Sequence, residues 1–282
     1  NATFLLLEKM TLNGNSGGQT GTSYGIYINP ASPNHVWDAR FNDLFIYSFR
    51  TGAFYTNDAH DYIFDNIISE YNGITSSYWT PTFELNGGEN AIIINSLFKL
   101  NNARALTIAA RGSQIIGSKF IQNYETGLLL NAREIVVSSS YFESNSKGAA
   151  NTYSDIWIPY TSNDIISQCT FEGGTWSKYN IQIDAGATVG NHSITNNIFY
   201  SVATNVVSDS GGLRSIYSKN IGFNTENWVS GANTTATTMV INHGCASTPD
   251  FVFASFNFTG WTSWTWTATS TQITVTMTGT LP

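Results

Sequence analysis

The chain has 282 residues, enough for a sizeable core, but only 11% of them are charged, against about 25% in an average soluble protein. Its net charge is −7 and its 12 lysine and arginine residues are scattered, which argues against a nucleic-acid partner, because phosphate backbones bind clustered basic charge. No apolar run approaches the roughly 20 residues that span a bilayer, so we expect no membrane insertion.

The N-terminal part carries few decisive signals. Its first segment, NATFLLLEKM, has neither an initiator methionine nor a signal-peptide pattern, so we expect an excised or processed piece. The segment NDAHD at 57–61 places His60 between Asp58 and Asp61, which suits a general base, part of a metal site, or a simple turn. These ligands do not complete a coordination shell, so we predict no metal and no cofactor.

Short motifs ending in phenylalanine recur through the middle of the chain, as in INSLF at 94–98 and SQCTF at 167–171. Successive members are separated by 22, 22, 29, 28 and 24 residues. Motifs ending at Phe45 and Ile68 continue the pattern more loosely upstream. The repeated aromatic residues are Phe98, Phe120, Phe142, Phe171, Phe199 and Phe223.

Equivalent positions in successive repeats form columns, and several other columns also carry similar residues, as a physical repeat requires. Leu106 matches Leu128, and Ile108 matches Leu130. Short apolar-alternating runs that recur at this period predict parallel β-strands stacked as a solenoid, with internal asparagines bonded along a ladder. The asparagine column is Asn101, Asn123 and Asn145, and the column of small inward side chains is Ser96, Ser118, Ser140, Cys169 and Asn197. Cys169 is therefore predicted to be a core side chain rather than a nucleophile.

The phenylalanine and asparagine columns resemble the right-handed parallel β-helix of the pectate-lyase-like superfamily over roughly residues 4–228. The resemblance implies an all-β solenoid, which we place at residues 1–230. Proteins of this superfamily include polysaccharide lyases, hydrolases, phage tailspikes and adhesins, so the resemblance implies a fold more strongly than a function.

The residue pattern changes near residue 231. Threonine alternates with apolar residues, most clearly in ITVTMTG at 273–279, which predicts a small antiparallel β-sandwich over 231–282. Trp261, Trp264 and Trp266 alternate along one strand and are expected to share a buried face or a subunit contact. The segment MVINHGCASTPDFVFAS at 239–255 is similar to the small modules that end phage tail fibres and tailspikes, which implies capping, homotrimer formation or surface binding.

Two carboxylates follow the repeat phenylalanine on successive coils, Glu143 and Glu172. Their backbones should lie one strand spacing apart, and glycoside hydrolysis needs such a pair. They are our catalytic candidates, although an exposed stack of solvated side chains explains them as well. A charged column of Glu89, Arg111 and Arg133 is better explained as a surface ion-pair ladder than as a lyase site.

Aromatic residues are concentrated in the longer inserts between strands. Sugar rings stack on exposed aromatic faces, and a trimer interface would use the same residues, so both roles stay open. The candidate glycan-binding residues are Tyr78, Trp79, Tyr153, Trp157, Tyr160, Trp176 and Tyr179.

Together these features favour a tailspike-like surface-attachment protein, virion-borne or extracellular, that recognises cell-surface polysaccharide. Degradation of that polysaccharide through Glu143 and Glu172 stays open. The alternatives are a secreted microbial polysaccharide lyase or hydrolase and a non-catalytic structural adhesin. The sequence alone does not decide whether the protein is an enzyme.

Overall fold

The computed structural model describes residues 4–18, 20–30, 36–73, 80–186, 188–200, 205–213, 215–223, 238–242, 252 and 261–279. The chain divides into two compact units, Asn1–Ile216 and Tyr217–Pro282. The boundary predicted between residues 230 and 231 falls in a segment outside the described residues, so it stays a prediction. Within the described parts no helix is both long and apolar enough to cross a membrane.

Short strands make up the first unit, with one 3-10 helix at Ser16–Gly18. The strands are β1 Leu5–Asn13, β2 Tyr24–Ile28, β3 Val36–Trp37, β4 Ala39–Tyr47, β5 Gly52–Thr56, β6 Ala59–His60, β7 Ile63–Glu70, β8 Phe83–Leu85, β9 Gly88–Glu89, β10 Ile92–Ile94, β11 Leu97–Lys99, β12 Leu106–Ile108, β13 Gln114–Ile116, β14 Lys119–Ile121, β15 Leu128–Leu130, β16 Val136–Ser138, β17 Tyr141–Glu143, β18 Ile156–Ile158, β19 Ile165–Ser167, β20 Thr170–Glu172, β21 Tyr179–Gly186, β22 Ser193–Thr195, β23 Ile198–Tyr200, β24 Asn205–Gly211 and β25 Ile216–Ser218.

These strands pair in parallel from one coil to the next. A long sheet starts with β1, β4 and β7, and from β7 onward each coil adds two short strands to it, such as β10 with β11. A second sheet runs β2, β5, β8, β12, β15, β18, β21 and β24, and a short third one runs β3, β6 and β9. Consecutive coils paired in register form the predicted parallel β-helix, so the fold prediction is confirmed.

A single residue with positive φ forms the corner between the paired short strands. In β4 and β7 this residue lies inside the strand, at Asp43 and Asn66, with φ of 54° and 55°. In the next coils it separates the two strands, as at Asn95 and Gly117. Asparagine, aspartate and glycine adopt this left-handed conformation most readily, which explains why they recur just before the small inward residue.

The phenylalanine column forms a continuous stack inside the helix. Phe98, Phe120, Phe142, Phe171 and Phe199 are partners in register, with ring centroids 4.8–5.1 Å apart and ring planes within 11° of parallel. All five are buried, so the predicted stack is confirmed for these rungs. Phe223 falls in the second unit, where its ring meets that of Tyr217 edge-on at 5.8 Å.

The upstream alignment was wrong by one residue. Phe45 pairs with Ile68, which pairs with Leu97 rather than with Phe98. The residue that stacks below Phe98 is Ser69, which is buried, whereas Ile68 is only half-buried. In a strand a shift of one residue moves a side chain to the opposite face, so Phe45 and Ile68 do not belong to the inward column.

The predicted asparagine ladder is present and longer than expected. The Asn101 side-chain amide donates to Asn123 Oδ1 over 3.1 Å, and Asn123 donates to Asn145 Oδ1 over 2.8 Å. Asn72 adds a rung before Asn101, and Asn145 donates in turn to the buried carboxylate of Asp155 over 2.8 Å. Each asparagine side chain donates to the residue of the next rung, and the last acceptor is the Asp155 carboxylate.

The small-residue column is also confirmed. Ser96 N–H donates to Ser118 Oγ and Ser118 N–H to Ser140 Oγ, both over 3.2 Å. Cys169 is a buried free thiol whose backbone N–H donates to Asn197 Oδ1 over 2.9 Å. Burial raises the pKa of Cys169 to about 12, so the thiol keeps its proton and serves as a core side chain.

In the second unit the described strands form one antiparallel sheet in the order β26, β28, β27. Its strands are β26 Thr238–Asn242, β27 Trp261–Ala268 and β28 Gln272–Gly279. Ile273, Val275 and Met277 form its buried core, and Trp264 and Trp266 pack against them, as the alternation predicted. Apart from Asn242, the N-H-G-x-x-x-T-P segment lies outside the described residues.

Candidate functional site

The structure brings the two predicted catalytic carboxylates together. Glu143 and Glu172 end β17 and β20 and are direct partners in the parallel sheet. The Tyr141 hydroxyl lies 2.7 Å from Glu172 Oε2 and 3.2 Å from Glu143 Oε2, so one proton is shared between two acceptors. Burial and the hydrogen bond to Glu172 raise the pKa of Tyr141 well above its ordinary value, so the hydroxyl remains a donor. Glu143 is half-buried and Glu172 exposed, and their catalytic role stays a prediction.

A cavity of about 420 Å³ lies elsewhere, over the second sheet. Its walls come from β18 and β21 and from the turns that precede β12, β15 and β18, which parallel pairing stacks on one flank of the helix. Two predicted glycan-binding residues, Tyr153 and Trp157, line it. We call it the Arg104 pocket, lined by Arg104, Thr126, Thr152, Tyr153, Ser154, Trp157 and Gln182.

Hydrogen bonds fix the polar wall of the Arg104 pocket. The Trp157 indole N–H donates to Asp184 Oδ2 over 2.7 Å, and the Gln182 amide donates to Asp184 Oδ1 over 2.8 Å. The Ser154 hydroxyl donates to Gln182 Oε1 over 2.8 Å. Because Asp184 accepts from both neighbours, the indole ring and the glutamine amide are held in defined orientations before any ligand enters.

Arg104 brings a buried positive charge to this cavity. The residue is 9% exposed, and its guanidinium carbon lies 5.3 Å from the centre of the Trp157 ring, within the range of a cation–π contact. One terminal nitrogen lies 3.5 Å from Thr107 Oγ1, and Nε has no hydrogen-bond acceptor among the described residues. Burial lowers the pKa of Arg104, opposed by the charges of Glu125 and Glu84, but a guanidinium stays protonated in proteins.

Glu84 and Glu125 are the carboxyl groups nearest to this charge. Glu125 is 7% exposed, and burial raises its pKa to about 7 against the opposing effects of the Arg104 charge and the Arg104 backbone N–H. Burial also raises the pKa of Glu84, again opposed by Arg104. In the described part of the chain neither carboxylate forms an ion pair with the guanidinium. The three side chains therefore form a loosely coupled charged cluster beside the cavity.

The sequence analysis did not single out Glu84, Arg104 or Glu125. The sequence signal that could have identified Arg104 is a difference between equivalent positions of two coils. At the offset that aligns Leu106 with Leu128, Arg104 aligns with Thr126. A long charged side chain thus stands where the next coil has a short hydroxyl side chain. Such a departure from the repeat marks the position as a site candidate.

The pocket borders a column of residues on the side of the second sheet that faces away from the core, here called the outward column, in which Thr107 and Leu129 are themselves buried. At one end Tyr27 and Tyr55 stack with ring centroids 5.0 Å apart, and Tyr27 is 57% exposed. Strands in a sheet are about 4.8 Å apart, so Tyr55 lies roughly 19 Å from Trp157 along the helix axis. The column consists of Tyr27, Tyr55, Glu84, Thr107, Leu129, Trp157 and Gln182.

The remaining aromatic candidates do not join the Arg104 pocket. Tyr160 is 77% exposed and lines a separate cavity of about 340 Å³ with Arg133 and Thr161. Trp176 is partly exposed, and Tyr179 opens β21 with the Lys178 ammonium 5.2 Å from its ring centre. Tyr78 and Trp79 lie outside the described residues.

Two further groups considered in the sequence analysis have defined partners. His60 Nε2 lies 2.7 Å from Asp58 Oδ1, and the His60 ring lies 4.3 Å from that of Trp37. Over the described ranges no three metal-ligating side chains cluster, there or elsewhere. Arg111 pairs through two nitrogens with Glu134, at 2.9 Å each, although Glu89 is its backbone neighbour. The expected ion pair therefore exists with a different carboxylate.

Comparison with known proteins gives a fold and no family. No protein-family model matches the chain, and no curated protein does. A solved structure of the ORF18 protein of Geobacillus virus E2 is 15% identical, with a TM-score of 0.60 over 86% of this chain and 48% of that one. The chain thus spans about half the length of the viral protein, and at this identity the likeness concerns the fold alone.

Two weaker likenesses share the all-β architecture. The A-module of mannuronan C-5 epimerase AlgE4 of Azotobacter vinelandii is 13% identical, with a TM-score of 0.48 over 77% of this chain and 74% of that one. The surface protein and adhesin PfbA of Streptococcus pneumoniae is 11% identical, with a TM-score of 0.34 over 66% and 68%. Neither carries a conclusion about site or function.

Glu125 should make the free energy of unfolding depend on pH. Its pKa is about 7 in the folded protein, above the ordinary value of 4.5, so the folded protein binds more protons than the unfolded chain between these values. The stabilisation by this proton is complete below the unfolded pKa and is lost as the pH rises through about 7. We expect the free energy of unfolding to fall over this interval by at most about 3 kcal/mol.

Urea unfolding of the wild type and of Glu125→Gln across this pH interval measures the effect. The variant should lack this part of the slope, because its amide does not titrate. Glu134→Gln, which alters an exposed carboxylate, is the matched control and should keep the wild-type slope. If the wild type and Glu125→Gln have parallel pH profiles, Glu125 is not the group responsible.

Proposed function

We propose that this chain is a tailspike-like surface-attachment protein that binds polysaccharide in the Arg104 pocket and along the adjoining outward column. The observation that carries the proposal is the oriented Trp157 ring, which faces a cavity of about 420 Å³ bordered by hydroxyl and amide groups. Cavities of this size suit small ligands, and an aromatic face with a few fixed polar groups is the usual means of holding a sugar.

Three further features support this proposal. The outward column places a second aromatic cluster, Tyr27 and Tyr55, in line with Trp157, so a chain of several sugars has contacts on both sides of the charged cluster. The parallel β-helix supplies a long rigid flank for such a ligand. The C-terminal segment at 239–255 resembles modules that end tailspikes. We place the protein on a virion or in the extracellular space on these grounds.

Replacing Trp157 by alanine tests the binding site. We expect at least about tenfold weaker binding of any glycan found on an array, because the stacking face and the cation–π partner of Arg104 are both removed. Ile165→Ala is the control, since Ile165 is 41% exposed on β19 of the first sheet and its strand partners are Val136 and Ser193 rather than either candidate carboxylate. Undiminished binding by Trp157→Ala would place the ligand elsewhere, and the absence of any glycan ligand would favour the structural adhesin.

A second candidate function, polysaccharide cleavage, is favoured by one observation: Glu143 and Glu172 lie side by side and share the Tyr141 proton. We infer that, if the protein cleaves a glycan, these carboxylates supply the acid and the base at a second position on the first sheet, separate from the Arg104 pocket. Each of Glu143→Gln and Glu172→Gln should then lower the cleavage rate by about 10²–10⁴-fold without weakening binding.

Product analysis separates the chemical alternatives for this second function. New reducing ends without unsaturation indicate a hydrolase, and unsaturated ends indicate a lyase. The control is Glu134→Gln, which changes a carboxylate at another surface position. Full activity in both glutamine variants would remove the pair from catalysis, and binding without turnover would leave an attachment protein.

We also propose a homotrimer, on the basis of the C-terminal resemblance. Light scattering should give a mass near three times the 30.9 kDa of one chain. A monomeric mass at micromolar concentration would overturn this part of the proposal.

A further inference from the structure

Arg104 carries a charge that the described side chains do not neutralise by direct contact. It is nine-tenths buried, lines the Arg104 pocket, and has no acceptor for its Nε hydrogen. A buried donor without a partner costs free energy, and the cost is larger for a charged group. Because Arg104 lines the pocket, a ligand can offer acceptors to its guanidinium, although the Nε atom itself is enclosed and is reached only when the side chain shifts.

We propose that Arg104 is the anchor for a carboxylate of the bound glycan, so that the pocket selects a sugar carrying an acidic group. The inference rests on the proposed glycan-binding function and deepens it. A guanidinium presents Nε and a terminal nitrogen side by side, and this fork matches the two oxygens of a carboxylate. A sugar hydroxyl satisfies only one of these donors.

The two neighbouring glutamates favour a ligand with a single negative charge. The charges that act on the guanidinium are those of Glu125 before β15, Glu84 on β8 and Tyr153 before β18. Burial raises the pKa of both carboxyl groups, that of Glu125 to about 7. Glu125 can therefore take up a proton when a ligand carboxylate enters, whereas a dianionic phosphate would require more charge to be neutralised. This argues for a carboxylate rather than a phosphate.

The charged cluster also determines whether the affinity for an acidic sugar rises or falls with pH. A ligand anion beside Glu125 raises the pKa of Glu125 further, so the complex binds more protons than the free protein. Affinity for an acidic sugar should therefore rise as the pH falls through about 7. Hexuronic acids keep their charge in this range, because carboxyl groups with ordinary pKa values titrate near 4.

Short oligosaccharides of hexuronic acid, compared with the same oligosaccharides after reduction of the carboxyl groups to hydroxymethyl groups, test the inference by calorimetry. The wild type should bind the acidic form at least about tenfold more tightly, and this preference should vanish in Arg104→Gln. Its affinity for the acidic form should also fall at least severalfold from about pH 6 to about pH 8, and Glu125→Gln should flatten that dependence.

Thermal unfolding of Arg104→Gln and Arg104→Lys checks that the variants are folded. If neither folds, the comparison of acidic and reduced ligands on the wild type decides alone. Equal binding of the two ligand forms, or a preference that survives in folded Arg104→Gln, overturns the inference and leaves the proposed function standing. Failure to bind either form, together with an array that yields no glycan, overturns the proposed function itself.

Discussion

Parallel, in-register pairing of successive coils is the constraint on which the rest of the structure depends. It places each residue directly above its counterpart in the next coil, about 4.8 Å away. Side chains that follow one another in a column must therefore pack or hydrogen-bond favourably with each other. Phenylalanine meets this condition, because offset parallel rings attract and each pair adds about 0.5–1.5 kcal/mol beyond area burial. The stack from Phe98 to Phe199, with ring planes nearly parallel, is the direct result.

The same constraint governs the buried polar groups. A column of asparagines satisfies itself because each amide is both a donor and an acceptor. The amides from Asn72 to Asn145 all donate in one direction, so the last one requires a group that only accepts. Asp155 supplies it, and Ser177 and Asn180 also donate to its buried carboxylate. Asp155, which lies directly before β18 and ten residues after Asn145, therefore terminates the ladder.

The candidate binding site lies where side chains that face away from the core differ from their counterparts in the neighbouring coils. Arg104 stands beside Thr126, and Glu84 beside Thr107, so the second sheet acquires charge and a cavity at one level of the helix. The coils above and below keep the backbone rigid and hold Trp157 through Asp184. A uniform core thus permits a few outward side chains to differ while the register of the coils is kept, which is how one scaffold serves many ligands.

Sequence alone determined the fold, because a solenoid repeats its core residues at a nearly constant spacing. Phe120, Asn123 and Ser118 were placed correctly, since each has counterparts one coil away that confirm the register. The predicted pair Glu143 and Glu172 is adjacent for the same reason. The predicted register was wrong at Phe45 and Ile68, where the repeat motif is weaker. An error of one residue moves a side chain to the opposite face of the strand, and the local sequence there does not distinguish the two registers.

Only the tertiary structure decided which outward residues form a site. Arg104, Glu84 and Glu125 are separated by about twenty residues each and have no shared motif, so their proximity depends on how the turns between coils close. Burial, which raises the pKa of Glu125 and leaves the Nε atom of Arg104 without an acceptor among the described residues, is a property of the assembled flank. Sequence fixes a repeating column, whereas a site made of exceptions to the repeat exists only once the coils are stacked.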